Sequence, residues 1–214
     1  KVLTVEDPIE YLLPLARQTQ VNEEIGYTFA RAIRAFLRLD PDVIVVGEVR
    51  DEETAQMALR AALTGHLFLS TLHTNDAISS ISRLKDMNIK SDLLGAVLKG
   101  VIAQRLVRKI CPFCKEPYTP NKELLRYYGL PLDGVYYRGK GCYQCNNKGY
   151  LGRCVVCEIL FVNEDLAKLI SEDPPLTTIY KKALEFGMKT LKEDAKDKVL
   201  KGITTVEEIK RVLG

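Results

Sequence analysis

A mixed α/β fold built on a mainly parallel sheet is what the first half of this sequence predicts. Three observations carry the expectation. Apolar strand-like runs recur at residues 3–5, 43–46 and 67–72, amphipathic stretches separate them, and Asp, Pro and Gly punctuate the joins. Strands that alternate with helices in this way form parallel sheets covered by helices.

Leu3–Val5 opens the chain as a short apolar strand. Phe29–Leu39 repeats apolar residues at helical spacing, and Asp40-Pro41 ends it, because a residue before proline is pushed out of the helical region. Val43-Ile-Val-Val46 is an unbroken β-branched run, as expected of a strand buried on both faces. Asp51 is placed to cap a helix reaching about Leu63, with Gly65 just beyond its end. A strand at Leu67–Leu72, a helix from about Asp76 and another from Ser91 to Leu106 follow. Residues 107–150 break the rhythm with cysteines, prolines and glycines around a helical patch near Glu123–Tyr128. Cys154–Phe161 reads as a strand. From Asn163 the chain reads as short helices, the last entered through Thr204-Thr205-Val206-Glu207-Glu208, a capping-box pattern.

No apolar run approaches the ~20 residues that span a bilayer. The opening Lys1–Pro8 reads as a strand entering a loop rather than a signal peptide, which predicts a cytosolic chain. A start in mid-strand also predicts a missing beginning. The net charge is only +3, but residues 99–153 hold eleven Lys/Arg against three Asp/Glu, about +8. That stretch is either a solvated basic surface or a docking face for an acidic partner or anionic membrane. Nucleic acid is not expected, since no RNA-binding signature or helix-turn-helix stands out.

Cys111-Pro-Phe-Cys114 and Cys142-Tyr-Gln-Cys145 are two C-x-x-C pairs separated by 27 residues. Each knuckle turns two thiolates toward one point, and two knuckles complete a tetrahedral zinc shell. Four protein ligands leave no open position, so the zinc would be structural. Disulfides are disfavoured in a cytosolic chain, and a redox dithiol does not need two matched knuckles. The loop between the pairs has few large apolar residues, which suggests that metal replaces a core there. Cys154 and Cys157, three apart on a strand, face opposite sides and read as small buried hydrophobes.

Glu48 is a carboxylate delivered at the C-terminal end of an apolar strand, the edge where parallel sheets bind ligands. A carboxylate there can order a water for attack on a γ-phosphate or hold Mg²⁺. Both histidines, His66 and His73, flank one strand with Ser70, Thr71, Thr74 and Asn75 alongside, and His73 could sense phosphate or metal. Glu6, Asp7 and Glu10 follow the first strand. Arg31, Arg34 and Arg38 share one helical face, a stripe that is either surface or a phosphate contact across a subunit boundary.

Together these motifs resemble the type II secretion and type IV pilus assembly ATPases. Val5-Glu-Asp-Pro-Ile-Glu10 is similar to the acidic Asp box of that family, Asp40–Asp51 to its atypical Walker B, and Thr64–Asn75 to its His box. Gln104-Arg-Leu-Val-Arg108 leads into the tetracysteine segment as it does there. The resemblance runs nearly the whole length. It implies a partial RecA-like P-loop ATPase core over residues 1–106, a tetracysteine zinc subdomain over 107–150 and a strand plus helical subdomain over 151–214. It implies Glu48 as catalytic base, His73 near the γ-phosphate, Glu6 and Asp7 as further catalytic acids, and Thr71, His66, Arg31, Arg34 and Arg38 as nucleotide-binding candidates. It also implies ATP and Mg²⁺ as cofactors of the intact enzyme, a homo-hexamer, and work passed to an inner-membrane platform protein from the cytoplasmic side. Retraction ATPases of the superfamily generally lack the tetracysteine element, so assembly or export is favoured.

Two departures stand out. No G-x-x-x-x-G-K-[ST] occurs, the only Gly-Lys being Gly139-Lys140. The backbone cradle and phosphate-binding Lys of a Walker A are therefore not found in these residues. The family's P-loop lies upstream of the Asp box, so the sequence reads as truncated, inactive alone and monomeric. Val155 occupies the position of a family glycine in Gly152–Glu158. The competing readings are a non-catalytic zinc-stapled docking module and a DNA-translocating conjugation motor.

Overall fold

The computed structural model describes residues 1–214. In chain order its elements are β1 (Val2–Glu6), β2 (Ala16–Gln20), α1 (Phe29–Phe36), β3 (Val43–Val46), α2 (Glu52–Leu63), β4 (Leu67–Ser70), α3 (Ser79–Asp86) and α4 (Ser91–Val97). There follow β5 (Gly100–Ile110), β6 (Lys115–Tyr118), α5 (Lys122–Tyr128), β7 (Tyr136–Gly139), β8 (Tyr150–Phe161), α6 (Glu164–Ser171), α7 (Leu176–Glu185), α8 (Leu191–Leu200) and α9 (Val206–Leu213). They group into two units, residues 1–100 with 161–183 and residues 101–160 with 184–214. This grouping cuts across the three consecutive segments read from the sequence. The reason is local: α6 packs on α4 at Gly95, where an added Cβ would collide with the Ala167 carbonyl and Ser171.

The first unit is a four-stranded sheet in the order β2-β1-β3-β4, with every pair parallel. Thr28 caps α1 by accepting the Arg31 N–H. The helix then buries Phe29, Ala32, Ile33 and Phe36 among Leu3, Val5, Ile44, Val46 and Met57, the one-sided stripe of a surface helix. Asp51 caps α2 as expected, its Oδ1 accepting from Thr54 N at 2.8 Å. The expectation for β3 needs correction, because Ile44 and Val46 are buried while Val43 and Val45 are only half-buried. β4 is the last strand in the order. It stops at Ser70, short of Leu72, and leaves Leu67 and Leu69 53% and 47% exposed. The helix expected from Asp76 begins at Ser79, whose N–H is taken by the Asp76 carboxylate at 2.7 Å.

The helix expected from Ser91 to Leu106 is not formed. α4 ends at Val97 and β5 starts at Gly100. Ala103 and Val107 are buried, four residues apart, a spacing that helical and strand periods share. Strand β2, Ala-Arg-Gln-Thr-Gln, carries no apolar signal and forms by pairing with β1.

In the second unit Val107, Leu125, Tyr128, Leu130, Tyr136, Val156, Ala195, Val199, Val206 and Ile209 form one core. Four of these, Leu125, Tyr128, Leu130 and Tyr136, come from the loop between the cysteine pairs, so that loop joins the unit's shared core rather than relying on metal alone. Thr205 caps α9 by accepting from Glu208 N at 3.1 Å. The expected box is left half-made because the Glu208 carboxylate is used elsewhere. It is fully buried and accepts from Arg108 N, Nε and Nη2 at 2.9, 2.9 and 2.6 Å. It also accepts from Arg211 Nε and Nη2 at 2.9 and 2.7 Å.

Burial opposes the charge on Glu208, but the Arg211 and Arg108 donors outweigh it and bring the carboxyl from 4.5 down to about 2. A carboxyl whose folded value is depressed stabilises above its unfolded value and loses that contribution as pH falls through the folded one. Glu208→Gln is expected to cost about 2–3 kcal/mol at pH 7, less than a fully buried pair because both arginines are half-exposed. Urea unfolding of the two proteins should converge between pH 5 and pH 2, and a constant gap over that range would contradict the assignment.

Candidate functional site

In-register parallel pairing aligns the ends of three strands, with Val46 opposite both Val5 and Ser70. Beyond β3 the chain stays pinned: Gly47 N donates to Val5 O at 2.8 Å and Val49 N to Thr71 O at 3.1 Å. Two hydroxyls complete the hold, Thr71 Oγ1 to Gly47 O at 2.7 Å and Ser70 Oγ to Val46 O at 2.9 Å. A Cβ on Gly47 would rest in ordinary contact with Glu6 Cα at 3.4 Å and Phe29 Cε1 at 3.6 Å, so the segment lies close against the end of β1.

Glu48 follows on this fixed segment with its side chain 13% exposed, in an ion pair with Arg50. Its other oxygen, Oε2, lies 3.3 Å from His73 Nε2, and His73 is 88% exposed. The Arg50 guanidinium holds the Glu48 carboxyl below the usual carboxylate range, with burial working against it and His73 adding a smaller pull. Arg50 is in turn held more firmly charged by Glu48, with Asp7 and Glu23 adding to the negative field around it. Glu6 is turned to its neighbours: its Oε1 accepts from Thr4 Oγ1 at 2.5 Å and from Gln18 Nε2 at 2.8 Å. The strand ends thus bring together Glu48, His73, Thr71, Asp7 and Arg50.

Other candidates lie apart. His66 precedes β4, at the opposite end of the strand from His73. Its Nδ1 is 2.9 Å from Thr64 Oγ1 and 3.0 Å from Ala61 O, which ties it to the end of α2. Leu37, Arg60, Leu63 and Thr64 line the open cavity beside it. Arg31 donates to Gly26 O at 3.2 Å and Arg34 pairs with Glu53 at 3.2 Å, but α1 ends at Phe36 rather than Leu39, so Arg38 lies exposed in the turn beyond the helix and not on its face. Arg50 is the residue that the sequence reading left without a role. Its position two residues after Glu48 was the available signal.

The second candidate site lies in the other unit. The sulfurs of Cys111, Cys114, Cys142 and Cys145 all fall within 4.8 Å of one another, with Cys111 and Cys145 buried. Cys145 Sγ accepts from the N–H groups of Cys142 and Gly149, each at 3.3 Å, and Cys114 Sγ accepts from Gly141 at 3.3 Å. Burial raises the Cys145 thiol, but these two backbone donors overcome it and bring it down to about 6. Burial leaves Cys114 high, at about 12, against the Gly141 donor. Four convergent thiols of this kind could hold a metal ion. Cys154 and Cys157 stand outside the group, both half-buried.

A parallel sheet offering a carboxylate at its C-terminal edge, together with helices and a separate four-thiol module, defines the class: a partial RecA-like ATPase core with a tetracysteine insertion. Within that class the chain belongs to the Type II/IV secretion system protein family, whose model matches residues 1–211. It is 50% identical over 210 residues to the type IV pilus assembly ATPase PilB of Thermus thermophilus, covering 96% of this chain and 24% of that protein. It is 48% identical over 215 residues to the type II secretion system ATPase E of Vibrio cholerae, covering 99% and 42% respectively. The crystal structure of the pilus retraction motor PilT with bound ADP matches with a TM-score of 0.70 at 32% identity, over 98% of this chain and 51% of that one. The chain therefore spans less than half the length of these curated relatives. No helix is long and apolar enough to cross a membrane.

Removing the Arg50 cation should raise the Glu48 carboxyl toward its ordinary value. Arg50→Ala is expected to move the Glu48 side-chain titration upward, followed by carboxyl ¹³C shifts between pH 2 and 7. An unchanged midpoint would show that Arg50 does not control it.

Proposed function

We propose that these residues form part of a hexameric ATPase that powers type II secretion or type IV pilus assembly from the cytoplasmic face of the inner membrane. The observation that carries the reading is Glu48, held 13% exposed at a strand end with His73 3.3 Å away. A carboxylate fixed at such an edge is placed to accept a proton from a water attacking a terminal phosphate. The Arg50 pair makes Glu48 a weak base, so its release from Arg50 is part of reaching the working state. In this reading His73, exposed on the open side of the cluster, would meet the γ-phosphate, and Asp7 would hold Mg²⁺ through water. ATP and Mg²⁺ supply the phosphate chemistry when bound. The phosphate cradle is assigned to a segment outside these 214 residues, since no Walker A pattern occurs within them.

The four cysteines are proposed to hold one structural zinc. Thiolates about 2.3 Å from a tetrahedral zinc stand about 3.8 Å apart. Three of the sulfur separations here are 3.8, 3.9 and 3.7 Å. Zinc would join the two knuckles and leave no coordination position for a substrate. The basic stretch 99–153, about +8, is proposed as the face that meets the platform protein. The hexamer is proposed for the longer chain, with residues 1–214 alone monomeric.

Residues 1–214 alone are expected to show no Mg-ATP turnover, and a chain extended upstream through a P-loop is expected to hydrolyse ATP. Glu48→Gln should abolish that activity while leaving nucleotide binding in place. Turnover by the extended chain that survives Glu48→Gln would remove Glu48 from the chemistry. Elemental analysis is expected to give one zinc per chain, and Cys111→Ser or a strong chelator to lower the melting temperature. Melting unchanged by complete metal removal would rule out a structural role.

A further inference from the structure

Outside the four ligands, Gly149 touches both cysteine knuckles through its N–H and its carbonyl, and Gly141, next to Cys142, reaches across to Cys114 Sγ at 3.3 Å. Gly149 N donates to Cys145 Sγ at 3.3 Å in the second knuckle, while Gly149 O accepts from Cys111 N at 2.9 Å in the first. The residue sits in the left-handed region, at φ +73°. Its backbone also packs against the backbone of Gly139: a Cβ on Gly149 would meet Gly139 C at 3.0 Å, with the Gly139 carbonyl oxygen closer still. Gly139 is paired with Lys115 in the β6–β7 ribbon, the strand that leaves Cys114. Next to it Lys140 N donates to Cys114 O at 2.9 Å. The two knuckles are therefore held in register by backbone N–H groups that bond sulfurs and carbonyls across them, and at one crossing Gly149 and Gly139 lie too close for either to carry a Cβ.

We propose that Gly149 is a positioning residue of the metal site. It orients the Cys145 sulfur through its N–H, ties the first knuckle to the second through its carbonyl, and by lacking a Cβ lets Gly139 close the far side. This rests on the reading of the four cysteines as a metal site. Partners that orient first-shell ligands alter metal affinity by 10–100-fold when removed. Gly152 supplies a control. It has a similar positive φ of +72°, yet a Cβ there meets only Lys109 Cε at 3.6 Å, so Gly152→Ala carries the backbone strain without the collision.

The test measures Co²⁺ affinity by competition with a chromophoric chelator, together with the ligand-field spectrum of the bound ion. Gly149→Ala and Gly139→Ala are expected to bind Co²⁺ about 10–100-fold more weakly, with a shifted spectrum, while Gly152→Ala matches the parent. Gly139→Ala separates collision from strain, because Gly139 is not among the positive-φ residues. A measurement on the unmutated chain stands even if the variants fail to fold. With ¹¹³Cd bound, the Gly149 amide proton should show scalar coupling to the metal across the N–H···S bond. Failure of the unmutated chain to bind any of these ions would overturn the metal reading and this proposal with it. Tight binding by all four cysteines with no Gly149 coupling, or with unchanged affinity in folded Gly149→Ala and Gly139→Ala, would overturn this proposal alone.

Discussion

Parallel, in-register pairing of β3 with both β1 and β4 is the constraint from which the first unit follows. Parallel strands end on the same side of a sheet, and register decides how far each one reaches. With Val46 opposite Val5 and Ser70, the segments after all three strands start at one level. Residues distant in sequence, Asp7, Glu48, Thr71 and His73, then meet without any long loop to place them. The hydroxyls of Ser70 and Thr71 extend the lattice past the last regular pair by bonding the carbonyls of Val46 and Gly47. The loop carrying Glu48 is accordingly as fixed as the strand before it.

The second unit solves a different problem. Its two long strands, β5 and β8, carry short helices and a ribbon, and a buried ion cluster at Glu208 helps to hold them in place. Three donors from Arg108 on β5 reach Glu208 and fasten α9 to that strand, while Arg211 steadies the carboxylate from within α9, and the C-terminal segment adds backbone pairing between Ile110 and Ile203 at 2.9 Å. Immediately after that pair comes Cys111, so the first knuckle grows directly out of the anchored strand. The four cysteines are thus attached to a region held by an apolar core and an ionic anchor.

The sequence shows most clearly what depends on local chemistry. Asp51 as a cap, the β3 run, the helix near Glu123 and the grouping of four cysteines follow from spacing and side-chain type, and the structure contains each of them. Less legible were features created by distant partners. β2 is polar and exists because β1 offers it an edge. Residues 100–106 satisfy both periods, and the pairing of β5 with β8 decides between them. The two histidines look like a pair in sequence, but a four-residue strand separates them, and the His66 ring is claimed by the end of α2. The ion pair between Glu48 and Arg50 was within reach of the sequence, since two residues separate them, but neither charge type nor spacing says which of several nearby acids an arginine will choose.

The outer side of β4 has one more consequence. It is the terminal strand of its sheet, with Leu67 and Leu69 half-exposed and no charged residue among its four. Natural sheets guard such borders with lysine, proline or a bulge, because a bare strand is a template for another chain. Residues 1–214 by themselves carry that template next to Glu48. A second strand pairing at this border would lie beside the strand ends that carry Glu48 and His73.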